Sequence, residues 1–193
     1  MISPKVLKGS FVYYESGAEQ GKVITFQYNP EAIQRIISPG DQRTRLHETI
    51  SFTLALDASD GLEHADPIAV AVGIYPALSA LELLVQPAGN AGGFLAGLWS
   101  RTTRRSDSLT VLVWGDRRIL PVRVVRLVIR EQMFDAKLNP IRASVDVELE
   151  TLTGADLRNN PRAGTLMDAY VAGVGALAQE GPSGGSAEHL ISV

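Results

Sequence analysis

The chain has 193 residues, enough for one ordinary domain with a short appendage. Its 45% hydrophobic and 20% charged content excludes bulk disorder, and the absence of cysteine removes disulfides, thiolate metal sites and a cysteine nucleophile. The net charge of −3 argues against a nucleic-acid partner, and no uncharged apolar run approaches the ~18 residues of a membrane span.

In chain order, residues 10–15 and 22–28 read as strands around a Gly-rich turn, a hairpin with a longer loop. Asn29-Pro30-Glu31 breaks the second strand, because proline cannot donate to a ladder. Residues 32–37 suit a brief helical turn with Asn29 as its N-cap. Alternation returns over 45–58, with Phe52, Leu54 and Leu56 on one face and Ser51, Thr53 and Ala55 on the other. Residues 57–67 have loop chemistry. Leu78, Leu81, Leu84 and Val85 fit a 3.6 period, which predicts a helix over 76–86. Residues 87–107 form a long Gly-rich excursion, expected to be mobile until it orders on a partner.

Residues 109–114 are β-branched and apolar, and Gly115-Asp116 turns the chain into a strand over 119–130. Its alternation changes phase at 124–125, which predicts a bulge. Residues 134–140 are a connecting turn. The strand over 141–152 places Val145, Val147 and Leu149 on one face and Asp146, Glu148 and Glu150 on the other. After Gly154 the pattern ends. Residues 161–179 read as an amphipathic helix weakened by two glycines, and the tail from 181 is flexible in composition. The expected domain limits are 1–157 for the β domain, 158–180 for a helical extension and 181–193 for the tail. The order predicts an antiparallel α+β fold, a sandwich or barrel with one short helix and a C-terminal helix.

Charge is distributed in blocks. Residues 101–130 hold eight arginines against Asp107 and Asp116, while residues 131–157 carry a net charge of −4. Such blocks suit association between copies. The candidate interface residues are Asp146, Glu148 and Glu150 with Arg123, Arg126 and Arg130, joined by Trp99, Arg101, Arg104 and Arg105 of the excursion. The same acidic row can instead pair across strands within one subunit, or line a lumen. Chemistry for catalysis is sparse. His47, His64 and His189 match no metal-ligand spacing, and no nucleophile elbow, Walker loop or dinucleotide fingerprint is present. A row of carboxylates along one strand is more often a wet or interfacial face than an acid/base pair. We expect a non-enzyme with no metal or cofactor.

Four blocks carry a resemblance. Phe26-Gln27-Tyr28-Asn29-Pro30-Glu31, the helix around Leu78 and Leu84, Val113-Trp114-Gly115, and Met133-Phe134-Asp135 with Asn139-Pro140-Ile141-Arg142-Ala143 and Val145-Asp146-Val147-Glu148-Leu149 follow one another in this order. Together, over about residues 10–155, they resemble the contractile injection system tube-like family. The resemblance implies a phage tail-tube-like β domain that assembles as a homohexameric ring. Its implied partners are copies of itself, the spike hub protein, the inner tube protein, and baseplate wedge and sheath components. It implies assembly in the cytoplasm as part of a phage-tail-like particle, which can be released outside the cell. Many members carry a C-terminal LysM-like module. The 38 residues after 155 are too few for it here. The narrower alternatives are a tube-terminating or main inner-tube ring. Outside that class stand a small β-rich ligand-binding module and a hydrolase using the carboxylate row.

Overall fold

The computed structural model describes residues 6–15, 17–39, 47–85 and 108–180. Seven strands form one antiparallel sheet: β1 (Ser10–Tyr14), β2 (Lys22–Thr25), β3 (Gln34–Ser38), β4 (His47–Asp57), β5 (Leu109–Trp114), β6 (Arg118–Phe134) and β7 (Pro140–Thr151). Their spatial order is β2-β1-β5-β6-β7-β4-β3. The described helices are α1 (Ser59–Glu63), α2 (Pro67–Val72), α3 (Tyr75–Glu82), α4 (Gly154–Asn159) and α5 (Pro161–Glu180). The fold is therefore α+β and antiparallel as expected. The seven described strands are joined in one hydrogen-bonded sheet, and Phe11 of β1 stacks on Phe52 of β4 at a ring-centroid distance of 6.3 Å although three strands lie between them in the order, so the sheet curls over a shared core.

Alternation decides which face of each strand is covered. In β4, Ile50, Phe52, Leu54 and Leu56 are buried, and in β7 Ala143, Val145, Val147 and Leu149 are buried at the paired positions. Ile74, Leu78, Leu81 and Leu84, in and beside α3, join the same core. Each such side chain contributes roughly 1.5–3 kcal/mol by leaving water. Leu109 and Val111 of β5 face a second cluster with Leu152 and Ala163 of α5, so this central strand is covered on both sides. Met167 and Tyr170 of α5 belong to the main core. The C-terminal helix is thus packed into the β domain through its first half, while residues 172–180 are exposed.

The expected bulge is present. The register of β6 against β7 shifts between Val124 and Arg126, leaving Val125 46% exposed as the extra residue. The shift lets Val122 and Val124 before it, and Leu127 and Ile129 after it, all face the core.

Three expectations are corrected. Residues 34–38 are a strand, not part of a helical turn, because β4 offers them an edge: Arg35, Ile36 and Ile37 pair with Ile50, Thr49 and Glu48. Short apolar runs do not distinguish the two by periodicity. The 57–67 loop contains α1, and α2 starts at its end, where the Asp66 side chain caps Ile68 and Ala69 N–H groups. The chain after Gly154 forms α4. The excursion at 87–107 and the tail from 181 lie outside the described residues.

Two glycines are sterically required. A Cβ on Gly9 would lie 2.7 Å from the Trp114 ring. Gly73 has φ +57°, and a Cβ there would collide with the Pro140 carbonyl oxygen, which accepts from Ile74 N–H at 3.0 Å. That contact fastens α2 and α3 to the β6–β7 turn.

Candidate functional site

The Phe26–Glu31 block acquires a physical meaning through its amides. The Gln27 side chain donates to Asp57 O at 2.6 Å and accepts from Asp57 N–H at 2.9 Å. The Asn29 side chain accepts from Gly9 N–H and donates to Leu7 O, both at 2.8 Å. Each amide imitates a strand's backbone, so two side chains stitch this segment to β4 on one side and to the start of β1 on the other. Phe26 meanwhile packs against Phe11, Phe52 and Trp114 at ring-centroid distances of 5.1, 5.7 and 6.5 Å. Beneath residues 28–34 runs an open groove of about 950 Å³, floored by β4 and β7 and including Arg126, Asp146 and Glu148.

The polar sheet face beside it carries most of the residues singled out by charge. Arg126 Nε donates to Glu148 at 3.1 Å. Arg130 pairs with Asp146, which also accepts from the Thr53 hydroxyl at 2.8 Å. The Arg130 guanidinium, and then Thr53, holds the Asp146 carboxyl below the usual carboxylate range. Arg123 lies opposite Glu150 in register but pairs with Asp156 of α4 at 2.6 Å. Among the described residues Glu150 has no ion pair. Arg126 and Arg130 therefore pair across strands within one subunit, one of the arrangements the charge pattern allows. Trp99, Arg101, Arg104 and Arg105 lie outside the described residues.

Sequence reasoning missed a buried charge. Glu48 is fully buried, and Arg35 grips it through Nε and through Nη2 at 2.9 Å. The Arg35 Nη2 also reaches the Tyr170 hydroxyl at 2.8 Å, and Glu48 N–H donates to the Thr151 hydroxyl at 3.0 Å. The carboxylate partner raises the Arg35 pKa, while burial raises that of Tyr170. The signal was available: Glu48 sits two residues before Ile50, in phase with the core side of β4.

No group of three or more His, Asp or Glu among the described residues is placed to hold a metal. No helix among them is long and apolar enough to cross a membrane. A scan against protein-family models finds no match for the chain, and a search of curated proteins finds none either.

Proposed function

We propose that the chain is a structural ring subunit of a contractile injection particle, joining inner tube, spike hub and baseplate. The observation that carries this reading is the open sheet. Its edge strands, β2 and β3, have one neighbour each among the described residues, and both expose β-branched side chains: Val23 at 62%, Ile36 at 55% and Ile37 at 53%. Unpaired N–H and C=O groups beside exposed apolar side chains form a template for another strand. Two such edges at opposite ends of one sheet allow each copy to meet the next, and a closed ring removes both edges at once. The ordered resemblance of the four blocks supports the same reading. The polar face of β4, β7 and β6, neutralised within the subunit, then suits a lumen wall.

Sedimentation of the full chain at rising concentration tests this. The expected species has six times the 20.7 kDa subunit mass. Combining Ile36→Lys with Ile37→Lys should abolish it without lowering the melting temperature, since both residues are already exposed. In the same assay Glu148→Arg should retain the ring, because Glu148 pairs within its own subunit; loss of the ring would return that residue to the interface. A chain that stays monomeric, and whose edge variant enters particles as well as the wild type does, would overturn the reading.

A further inference from the structure

β4 has β7 along one side, but β3 covers only part of the other. Ala58 N–H donates to Ile141 O at 2.8 Å on the β7 side. Asp57 turns the opposite way: its N–H donates to the Gln27 side chain and its carbonyl accepts from it. These directions alternate along a strand, and the β4 register against β7 runs unbroken from Thr49 to Asp57. Ser51, Thr53 and Ala55 therefore point their N–H and C=O groups to the same side as Asp57. Ser51 stands opposite Gln34, the first residue of β3, and the chain before Gln34 diverges from β4. No strand among the described residues meets the main chain of Thr53 and Ala55, and both residues are exposed. The Gln27 amide stands where a strand's peptide group would, but beyond it about five residues of strand are missing, roughly 17 Å.

Two hollows meet at this gap, and both include Leu54 and Ala55. On the core side is an apolar one of about 240 Å³, between Leu54 and Leu56 of β4, Ile24 of β2 with Phe26, and Ala77 and Leu81 of α3. On the outer side is the groove beneath residues 28–34, whose charged lining is Glu31, Asp146 and Glu148 against Arg126. Arg126 and Arg130 neutralise Glu148 and Asp146, which leaves Glu31 with no ion pair among the described residues. A strand laid in the gap would send alternate side chains into the apolar hollow and toward Glu31. The occupant selected is an extended peptide in which apolar and basic residues alternate. The two longest stretches outside the described residues lack that pattern: the arginines at 101, 104 and 105 are not spaced by two, and 181–193 has no lysine or arginine.

We propose that this gap is a strand-addition site for a partner protein. An extended segment of alternating apolar and basic residues adds antiparallel to β4, bonded to the main chain of Thr53 and Ala55. Main-chain bonds supply affinity. The two hollows fix the register, because a slip of one residue would put a base in the apolar hollow. The site does not use Val23, Ile36 or Ile37, so it stands whether or not the chain forms rings.

The test is fluorescence anisotropy of the full chain with a labelled peptide, Lys-Val-Lys-Leu-Lys-Val-Lys. Its controls are Lys-Lys-Val-Leu-Val-Lys-Lys, of the same composition without alternation, and the first peptide with glutamate for lysine. The alternating basic peptide should bind about tenfold more tightly than either control. Ala55→Pro removes an N–H that β7 does not use, so it should weaken that peptide about tenfold and change the melting temperature little. Glu31→Lys should narrow the preference for lysine over glutamate. Equal binding of the two basic peptides, or binding indifferent to Ala55→Pro, would place the peptide elsewhere and overturn the proposal. So would the absence of saturable binding at about 100 μM protein. If Ala55→Pro without peptide lowers the melting temperature by many degrees, the gap is filled by the chain itself. If it instead changes the sedimenting mass, the gap is filled by a second copy. Either outcome also overturns the assignment to a partner.

Discussion

Glu48 shows how one residue can bind three elements. A buried carboxylate is tolerated only when paired and hydrogen-bonded, and here its partners come from β3 and α5, while the Glu48 backbone N–H is taken up by Thr151 of β7. The partners are not equivalent. Removing Arg35 leaves a charge with no access to water, whereas removing Glu48 leaves a guanidinium that is 28% exposed. We therefore expect Arg35→Ala to cost about 3–5 kcal/mol in urea unfolding and Glu48→Gln clearly less. Joint replacement by Arg35→Met and Glu48→Met should recover much of the loss, since it removes both charges and retains apolar volume. Equal costs for the two single variants would show that the network is not governed by the buried charge.

Among the elements, β6 carries one residue too many for a regular ladder. Val125 is that extra residue, and Val124 and Arg126 on either side of it pair with the adjacent Leu149 and Glu148 of β7. Deleting Val125 alone would therefore leave Leu127 and Ile129 facing the core, whereas deleting Val125 and Arg126 together would turn them away and bring Arg130 toward it. The double deletion should abolish cooperative thermal unfolding, while the single deletion should keep it. A single-deletion variant that lost cooperative unfolding would mean that the bend made by the bulge, and not the register alone, holds the sheet to its helices. The helix α5 divides similarly: Ala163, Met167 and Tyr170 hold it to the sheet, and Val174 and Leu177 remain available for contact.

For the molecule as a whole, pH reports the distributed ion pairs. Asp57 is held below the ordinary carboxylate range by Ser59 and then by Arg142, Asp135 by Asn139, and Asp146 by Arg130. A carboxylate whose folded pKa is depressed contributes stability that is present above the unfolded pKa, near 4, and lost as pH falls through the folded value. Tyr170 works at the opposite limit. Burial raises its pKa, so its contribution is complete below the unfolded value near 10 and disappears as pH rises beyond it. Urea midpoints measured from pH 2 to 11 should form a plateau that falls at both ends. Tyr170→Phe should flatten the alkaline limb, and Asp146→Asn the acid limb. Unchanged limbs in these variants would assign the pH dependence to other groups.

The strands of period two were legible in the sequence. The faces of β4 and β7 follow from alternation alone, and the bulge in β6 follows from the broken phase of its valines, because side-chain direction along a strand is a local property. The amphipathic stripe of α3 was legible for the same reason. The carboxylates of β7 were visible as a row, but not their partners. Whether Arg126 meets Glu148 of its own chain or a neighbour's depends on which strand lies beside β7. Only the tertiary structure decided that, as it decided that residues 34–38 extend along β4 and that Arg35 and Tyr170 converge on Glu48. The chain separates Arg35 from Tyr170 by 135 residues, and no local preference encodes a meeting at that distance. Such contacts arise when separate elements pack, and the cost of burying Glu48 then determines which polar groups surround it.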